Sequence, residues 1–220
     1  MVTAHLDSWT AGTDATDDGA GAIIALEAMR ILKAVRAAPL RTIRLALWTG
    51  EEQGSLGSRE FVKRNIAVVP LGSDPDQLRL PEFMRRTEGP VRPKPDHARL
   101  SAVYTMDAGG GRIRGVSTGN PSLAPIFHQW LAPLRDQGVN MVADRSDCGG
   151  DCRTFEQVGI PTPSFKQDPL DYDSRTHHTN MDTYEHLVPE DLKQAAIVVA
   201  TILYNTAMRD QMLPRLPLNR

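Results

Sequence analysis

The sequence predicts a three-layer α/β fold with a largely parallel central sheet flanked by helices. Two observations lead to this prediction. Strand-like and helix-like segments alternate along most of the chain, and several strand-like segments end in acidic or histidine residues. Alternating strands and helices build parallel sheets, and such sheets bind ligands beyond the carboxyl ends of their strands. We therefore expect a functional site at that edge of the sheet.

The bulk composition limits the class of protein. The chain has 220 residues, which fits one domain, 1–220, with an ample core. A net charge of −2 argues against a nucleic-acid partner. The sequence has no run of about eighteen apolar residues, so no membrane-spanning helix is expected.

The first part of the chain is predicted to form strand, helix, strand and helix. Residues 2–5 form a short apolar strand, and a helix follows the acidic loop and ends before Pro39. The segment "RTIRLALWTGEE" is a buried strand that ends in Glu51 and Glu52, and another helix is expected across 55–65. The first helix is indicated by apolar residues at helical spacing, namely Ile24, Ala28, Ile31, Leu32 and Val35.

The middle of the chain departs from this alternation. Residues 66–98 contain six prolines and mixed charge, with a short helical piece near "LPEFMRR". Such a segment is too polar to form a layer of the core, so we expect a Pro-rich excursion there. The segment "ARLSAVYTMDAGG" then returns to strand and ends in Asp107.

The last part of the chain resumes the alternation. The segment "SLAPIFHQWLAPLRDQG" is a helix that stops at Gly138, and "GIPTPSF" is a short strand. A polar loop with His177 and His178 follows, and the final helix opens at Pro189. Its buried stripe is expected to comprise Leu192, Ala196, Val199 and Leu203.

Cysteine is scarce, with only Cys148 and Cys152, in the stretch "CGGDC". This number excludes a disulfide-rich scaffold. The close spacing allows either a bridge across a tight loop or two free thiols, and both alternatives stay open.

Each acidic or histidine motif is weak on its own. A His-x-Asp pair or a Glu-Glu pair at a strand end is most often structural or solvated. The stretch "DATDDG" has the composition of an ordinary turn. It fails as an EF-hand calcium loop, because a loop that starts at Asp14 places Ala25 at the twelfth position, where a bidentate Glu is required.

Taken together, the motifs indicate a metal site. The strand ends bring His, Asp, Glu, Asp and His to one edge of one sheet. Zinc binds imidazole and carboxylate, with three protein ligands per catalytic ion and one position open for water. Two zinc ions about 3.5–4 Å apart can share a bridging carboxylate. Three ligand carboxylates and one hydroxide would balance the charge of two zinc ions.

The motifs resemble those of the co-catalytic zinc exopeptidases, a family that includes leucyl-type aminopeptidases and plasma glutamate carboxypeptidase. The resemblance covers nearly the whole chain and is closest to the plasma-glutamate-carboxypeptidase-like branch. It implies a zinc-peptidase catalytic domain with two zinc ions per chain. The matching stretches, in the family's order, are "AHLDSW", "GTDATDDGAG", "WTGEEQGSLGS", "YTMDAGG" and "HHTNMDTYEHL".

The resemblance also implies a set of metal ligands. Asp17 would bridge both ions. His5 and Asp107 would complete one ion, and Glu52 and His178 would complete the other.

The resemblance further implies that Glu51 is the general base, that Asp7 orients His5, and that the Asp17–Asp18 peptide is cis. The implied reaction is hydrolysis of dipeptides or short peptides by a metal-bridging water. Two alternatives stay open. One is a single-zinc glutaminyl-cyclase-like enzyme, and the other is an inactive, truncated homologue that binds metal.

The chain departs from the family in two places. Gly150 and Cys152 replace a Thr and a His in a loop that lines the substrate side in relatives, so the resemblance does not define the specificity. Relatives carry further strands and helices before the strand of His5, so we expect this chain to lack the family's first strands. The resulting exposed strand edge favours a homodimer. By resemblance, the protein would be secreted or periplasmic.

Overall fold

The computed structural model describes residues 1–9 and 12–218, and its strands and helices alternate along most of the chain. The strands are β1 Val2–His5, β2 Leu45–Trp48, β3 Ala67–Val68, β4 Arg92–Pro93, β5 Tyr104–Thr105, β6 Ile113–Ser117, β7 Met141–Ala143 and β8 Ser164–Gln167. The α-helices are α1 Ala20–Ala34, α2 Leu56–Phe61, α3 Pro75–Leu78, α4 Ala124–Leu131, α5 Gly150–Glu156 and α6 Pro189–Met208. The α/β fold class is therefore confirmed.

The first sheet has the order β2-β1-β5, and all three strands are parallel. Val2 lies opposite Leu45 on one side and Tyr104 on the other. The central strand β1 is buried along its whole length, as expected for a parallel sheet covered on both faces. Its last residue, His5, therefore lies at the carboxyl edge of the sheet, and its side chain is buried.

The second sheet has the order β7-β6-β8 and is mixed. Strand β6 runs parallel to β7 and antiparallel to β8. The amide of Val103 donates to the carbonyl of Pro161 at 2.9 Å, which links the segments that precede β5 and β8. The strand expected at "GIPTPSF" begins only at Ser164, because the residues before it contain two prolines, which cannot donate to a ladder.

Strands β6 and β7 were not expected from the sequence. The alternation of β6 is broken by Gly115, which has no side chain to pack. The structure shows why a glycine lies there. A Cβ at Gly115 would approach the carbonyl oxygen of Met141 to 2.0 Å, so only glycine allows β7 to come this close.

Helices cover both faces of the sheets. Helices α1 and α6 pack together on one side, and the predicted stripe of α6 is largely buried, with Ala196, Val199 and Leu203 inside. On α1, Val35 was expected to extend the apolar stripe. It instead follows the last helical turn and is exposed. Helices α2 and α5 cover the other face, where the rings of Trp48, Phe61 and Phe155 meet.

The Pro-rich excursion forms a small hairpin whose strands pair only with each other among the described strands. Strands β3 and β4 pair antiparallel, and a single bridge joins Leu71 to Thr87. The short helical piece expected near "LPEFMRR" is a 3-10 turn at Glu82–Met84. None of the residues 73–96 is buried, so this part of the excursion lies outside the core. At its start, Ile66 and Ala67 belong to a buried hydrophobic cluster.

Cys148 and Cys152 form a disulfide with a Cα–Cα distance of 5.4 Å. This settles the choice between a bridge and free thiols that the sequence left open. Within the described part of the chain, no helix is both long enough and apolar enough to cross a lipid bilayer.

Candidate metal centre

The predicted ligands come together at the carboxyl edge of the first sheet. His5 ends β1, and Asp107 follows β5 by two residues. Glu52 lies in the turn after β2, Asp17 lies in a tight turn before α1, and His178 lies in the loop between β8 and α6. Segments far apart in the sequence therefore converge on one small volume.

One group of possible metal ligands consists of His5, Asp17 and Asp107. His5 Nε2 lies 3.2 Å from Asp17 Oδ1 and 3.8 Å from Asp107 Oδ1. Burial lowers the pKa of His5, but hydrogen bonds with Asp107 and Asp17 outweigh it and raise the pKa to about 12. A positive charge is thus favoured strongly between these carboxylates.

A second group lies on the other side of Asp17. His178 Nε2 is 3.3 Å from Asp17 Oδ2 and 2.9 Å from Glu52 Oε2. The two carboxylate oxygens of Asp17 therefore face different histidines. This is the arrangement that a bridging ligand requires.

Two buried carboxylate oxygens of the centre lack a hydrogen-bond donor in the part of the chain that the structure describes. Asp17 Oδ2 and Glu52 Oε1 are buried side-chain oxygens without a hydrogen-bond donor among the described residues. Burial, followed by the charge of Asp17, raises the pKa of Glu52 to about 7. Because buried carboxylates are costly unless they are paired or bind a cation, these residues fit a divalent metal ion.

Two aspartates hold the turn that carries Asp17. Asp182 accepts hydrogen bonds from the amides of Thr16 at 2.7 Å and Asp17 at 3.0 Å. Asp18 accepts from the amides of His5 and Gly21, both at 3.1 Å. The Asp17–Asp18 peptide is cis, as expected.

Neither Asp18 nor Asp182 was assigned a role from the sequence. Burial raises the pKa of Asp18 well above its ordinary value, and the charge of Asp107 adds to this effect. For Asp182, the available signal was its position in the "HHTNMDT" stretch, four residues after His178. Both residues determine where the Asp17 turn lies.

Asp7 acts differently from the prediction that its carboxylate orients His5. The backbone carbonyl of Asp7 lies 2.9 Å from His5 Nδ1, whereas the nearer carboxylate oxygen is 3.7 Å away. The carboxylate instead accepts hydrogen bonds from the amides of Glu51 and Glu52, each at 3.1 Å. Asp7 therefore ties the Glu51–Glu52 turn to the strand that ends in His5.

Glu51 lies beside the first group of ligands. Its Oε1 accepts a hydrogen bond from Ser55 Oγ at 3.1 Å. Burial raises the pKa of Glu51, and the charge of Asp107 raises it further. A carboxylate with a raised pKa is better suited to accept and return a proton near neutral pH.

Aromatic rings surround the second group. The ring of Trp9 stacks on His178 with centroids 5.3 Å apart, and Tyr172 stacks on His177 at 4.8 Å. His177 Nε2 lies 3.6 Å from Asp17 Oδ2, so His177 is also a possible ligand. His178 is better placed, because only its imidazole also pairs with Glu52 in the described ion pairs.

Comparisons with known proteins identify relatives of this chain. Carboxypeptidase Q from Mus musculus is 31% identical over 216 residues, which cover 98% of this chain and 40% of the relative. Carboxypeptidase Q from Homo sapiens is 30% identical over 216 residues, covering 98% of this chain and 39% of the relative. The chain thus spans about 40% of the length of the curated relatives it matches.

Solved structures show the same fold. A peptidase M28 precursor from Shewanella amazonensis matches with a TM-score of 0.77 and 27% identity, over 98% of this chain and 43% of that chain. A zinc aminopeptidase from Bacillus subtilis matches with a TM-score of 0.65 and 21% identity, over 95% of this chain and 46% of that chain. Residues 1–203 match the model of peptidase family M28, and the chain therefore belongs to that family.

Proposed function

We propose that this chain is the catalytic domain of a zinc-dependent metallo-exopeptidase that hydrolyses dipeptides or other short peptides. One observation carries the proposal. The two carboxylate oxygens of Asp17 face two separate histidine-containing groups, at 3.2 Å from His5 and 3.3 Å from His178. The similarity to Carboxypeptidase Q and to a zinc aminopeptidase supports both the peptidase activity and zinc.

The donor set fits two zinc ions. His5, Asp107 and Asp17 would hold one ion, and Glu52, His178 and the other oxygen of Asp17 would hold the second. Imidazole nitrogen and carboxylate oxygen are typical zinc ligands, and three protein ligands leave a position open at each ion. The three carboxylates and one hydroxide would balance the charge of two zinc ions.

The protein's own residues would handle the protons. Zinc, when bound, supplies Lewis-acid chemistry by lowering the pKa of water and polarising a carbonyl group. Glu51 would take the proton from the attacking water and pass it to the leaving amine. The hydrogen bond from Ser55 Oγ and the contact of Asp7 with the Glu51 amide hold this base in place.

Exopeptidases are divided into aminopeptidases and carboxypeptidases by the free terminus of the substrate that they recognise. The relatives' names include a carboxypeptidase and an aminopeptidase, so we propose the broader class and leave the terminus to experiment. Dipeptides blocked at the amino or the carboxyl end distinguish the two, because an exopeptidase requires the terminus that it recognises to be free.

The test of this proposal is zinc content measured together with hydrolysis of a dipeptide panel. We expect close to two zinc ions per chain and turnover that a chelator removes and zinc restores. One zinc ion per chain with cyclisation of an N-terminal glutamine peptide would favour the glutaminyl-cyclase-like alternative. Folded protein with neither zinc nor turnover would favour the inactive homologue.

We also propose that the protein works outside the cytoplasm. The Cys148–Cys152 disulfide supports this, because disulfides persist in oxidising compartments and are rare in the cytosol. Titration of thiols in denatured protein from its native compartment tests the point. Two free thiols per chain would contradict it. The predicted homodimer stays a prediction, which sedimentation can check.

A further inference from the structure

The disulfide closes a ring of five residues, 148–152, which we call the disulfide ring. Its central residue, Gly150, lies directly against the centre described above. A Cβ at Gly150 would approach Glu51 Oε1 to 2.3 Å and Asp107 Oδ2 to 3.2 Å. Gly150 also has a positive φ of 48°. The backbone of the ring therefore forms a wall beside Glu51.

Three contacts hold this wall in place. The disulfide joins the ends of the ring, at Cys148 and Cys152. Ser58 Oγ donates to the carboxylate of Asp151, and Thr154 Oγ1 donates to the Asp151 carbonyl at 2.8 Å. The ring residues Cys148, Asp151 and Cys152 are all buried, so the ring has little room to move.

Helix α2 connects the wall to the base. Ser55 precedes this helix and donates to Glu51 Oε1, and Ser58 lies within it and donates to Asp151. Glu51 Oε1 is thus confined between the Ser55 hydroxyl and the Gly150 backbone. A shift of the disulfide ring would move the Gly150 backbone away from Glu51 Oε1 and leave the Ser55 hydroxyl on the other side.

We propose that Gly150 is a positioning residue for Glu51, and that the disulfide ring keeps its backbone against the Glu51 carboxylate. This inference rests on the proposed function, in which Glu51 is the general base. The absence of a side chain at 150 lets the carboxylate occupy its site, and the closed ring prevents the carboxylate from swinging away from the ligands.

The substitution Gly150→Ala tests the first half of the proposal. The new methyl would come closest to Glu51 Oε1, the end of a flexible side chain, so the largest displacement is expected at that carboxylate. Asp107 Oδ2, at 3.2 Å, would shift by a few tenths of an ångström, and the positive φ adds backbone strain. We expect kcat to fall about 100-fold, as for a catalytic group displaced by about 1 Å. KM and zinc content should stay close to those of the unsubstituted protein.

Two controls separate displacement from general damage. A Cβ at Gly149 would meet no atom within 4 Å, so Gly149→Ala changes the same ring without touching Glu51. Gly89 has a positive φ of 92° and also has open space around it, so Gly89→Ala reproduces the backbone strain far from the site. Both controls should keep kcat within about twofold of the unsubstituted protein, because surface changes that remove no contact have small effects.

The double substitution Cys148→Ser with Cys152→Ser tests the second half. Opening the ring should lower kcat about tenfold or more at unchanged zinc content, measured at a temperature well below the melting transition of the variant. Equal kcat values for Gly150→Ala and Gly149→Ala, or an open ring with full kcat, would overturn the inference while leaving the proposed function intact. Unsubstituted protein without zinc or turnover would instead count against the proposed function.

Discussion

The two halves of the candidate metal centre differ in how the fold supports them. His5, at the end of the buried central strand, is 1% exposed, whereas His178, in a loop, is 44% exposed. The His5 half is fixed by the sheet and by the Asp18 contact to the His5 amide. The His178 half depends on loop contacts and on stacking with Trp9. The buried half is therefore held by the sheet, whereas the exposed half is held by loop contacts.

The largest expected effect concerns the base beside the buried half. Glu51→Gln keeps the shape of the side chain but cannot accept a proton, so kcat should fall about 10²- to 10⁴-fold. Zinc content should not change, because Glu51 is not among the proposed ligands. Steady-state kinetics and elemental analysis check both statements.

The exposed residue Glu60, which pairs with Arg64 on the surface, provides the control for this change. Glu60→Gln should leave kcat unaltered. Full turnover by Glu51→Gln would rule out its role as the base.

The next effect separates the two halves by stability in metal-free protein. His5→Ala removes a buried cation from between carboxylates, so the free energy of unfolding should fall by about 3 kcal/mol. His178→Ala removes a partly exposed partner and should cost less than about 1 kcal/mol. Urea unfolding of both chelator-treated variants measures the difference. Equal losses would mean that the two halves are equally well supported.

A further effect is expected from pH in the metal-free protein. The pKa of Glu52 is raised from 4.5 to about 7 and that of Asp151 from 3.8 to about 7, both chiefly by burial. The native state therefore holds protons that the unfolded chain has released, and its stability falls as pH rises from about 4 to 7.

Zinc reverses this dependence because its ligands must be deprotonated, so its affinity increases with pH. The melting temperatures of zinc-loaded and metal-free protein should therefore diverge as pH rises. Calorimetry on both forms across this range checks the prediction. A difference that stays constant with pH would contradict it.

The smallest effect concerns the exposed half alone. Trp9→Ala removes the ring that stacks on His178. The lost stacking interaction should be worth about 0.5–1.5 kcal/mol and would hold that imidazole less firmly. Zinc at the exposed half should bind up to about tenfold more weakly, while zinc at the buried half is unaffected. Tyr184→Ala, at a residue 72% exposed, is the control in the same competition titration with a chelator. Weakening at both halves would contradict the assignment of Trp9 to one of them.

Much of the fold, and the convergence of the candidate ligands, could be predicted because the informative residues lie at strand ends. His5, Glu52 and Asp107 follow apolar segments whose strand character is visible in the sequence, and parallel strands bring their carboxyl ends to one edge. The antiparallel direction of β8 was not predictable, because it depends on pairing with β6, whose alternation Gly115 interrupts.

The supporting contacts were harder to predict than the ligands. The hydrogen bonds of Asp182 to the Asp17 turn join residues about 165 positions apart, and no local pattern marks such a pair. The family resemblance assigned the carboxylate of Asp7 to His5. Its actual partners are amides 44 and 45 residues away, which only the folded chain brings near.

The contact between Asp182 and the Thr16 amide has a consequence for biosynthesis. Its partners are separated by 166 positions, so the turn that carries Asp17 is held in place by a residue that is synthesised long after it. Contacts of such separation form late, because closing the intervening loop costs entropy. A growing chain should therefore be unable to fix the Asp17 turn in its final position until Asp182 has left the ribosome.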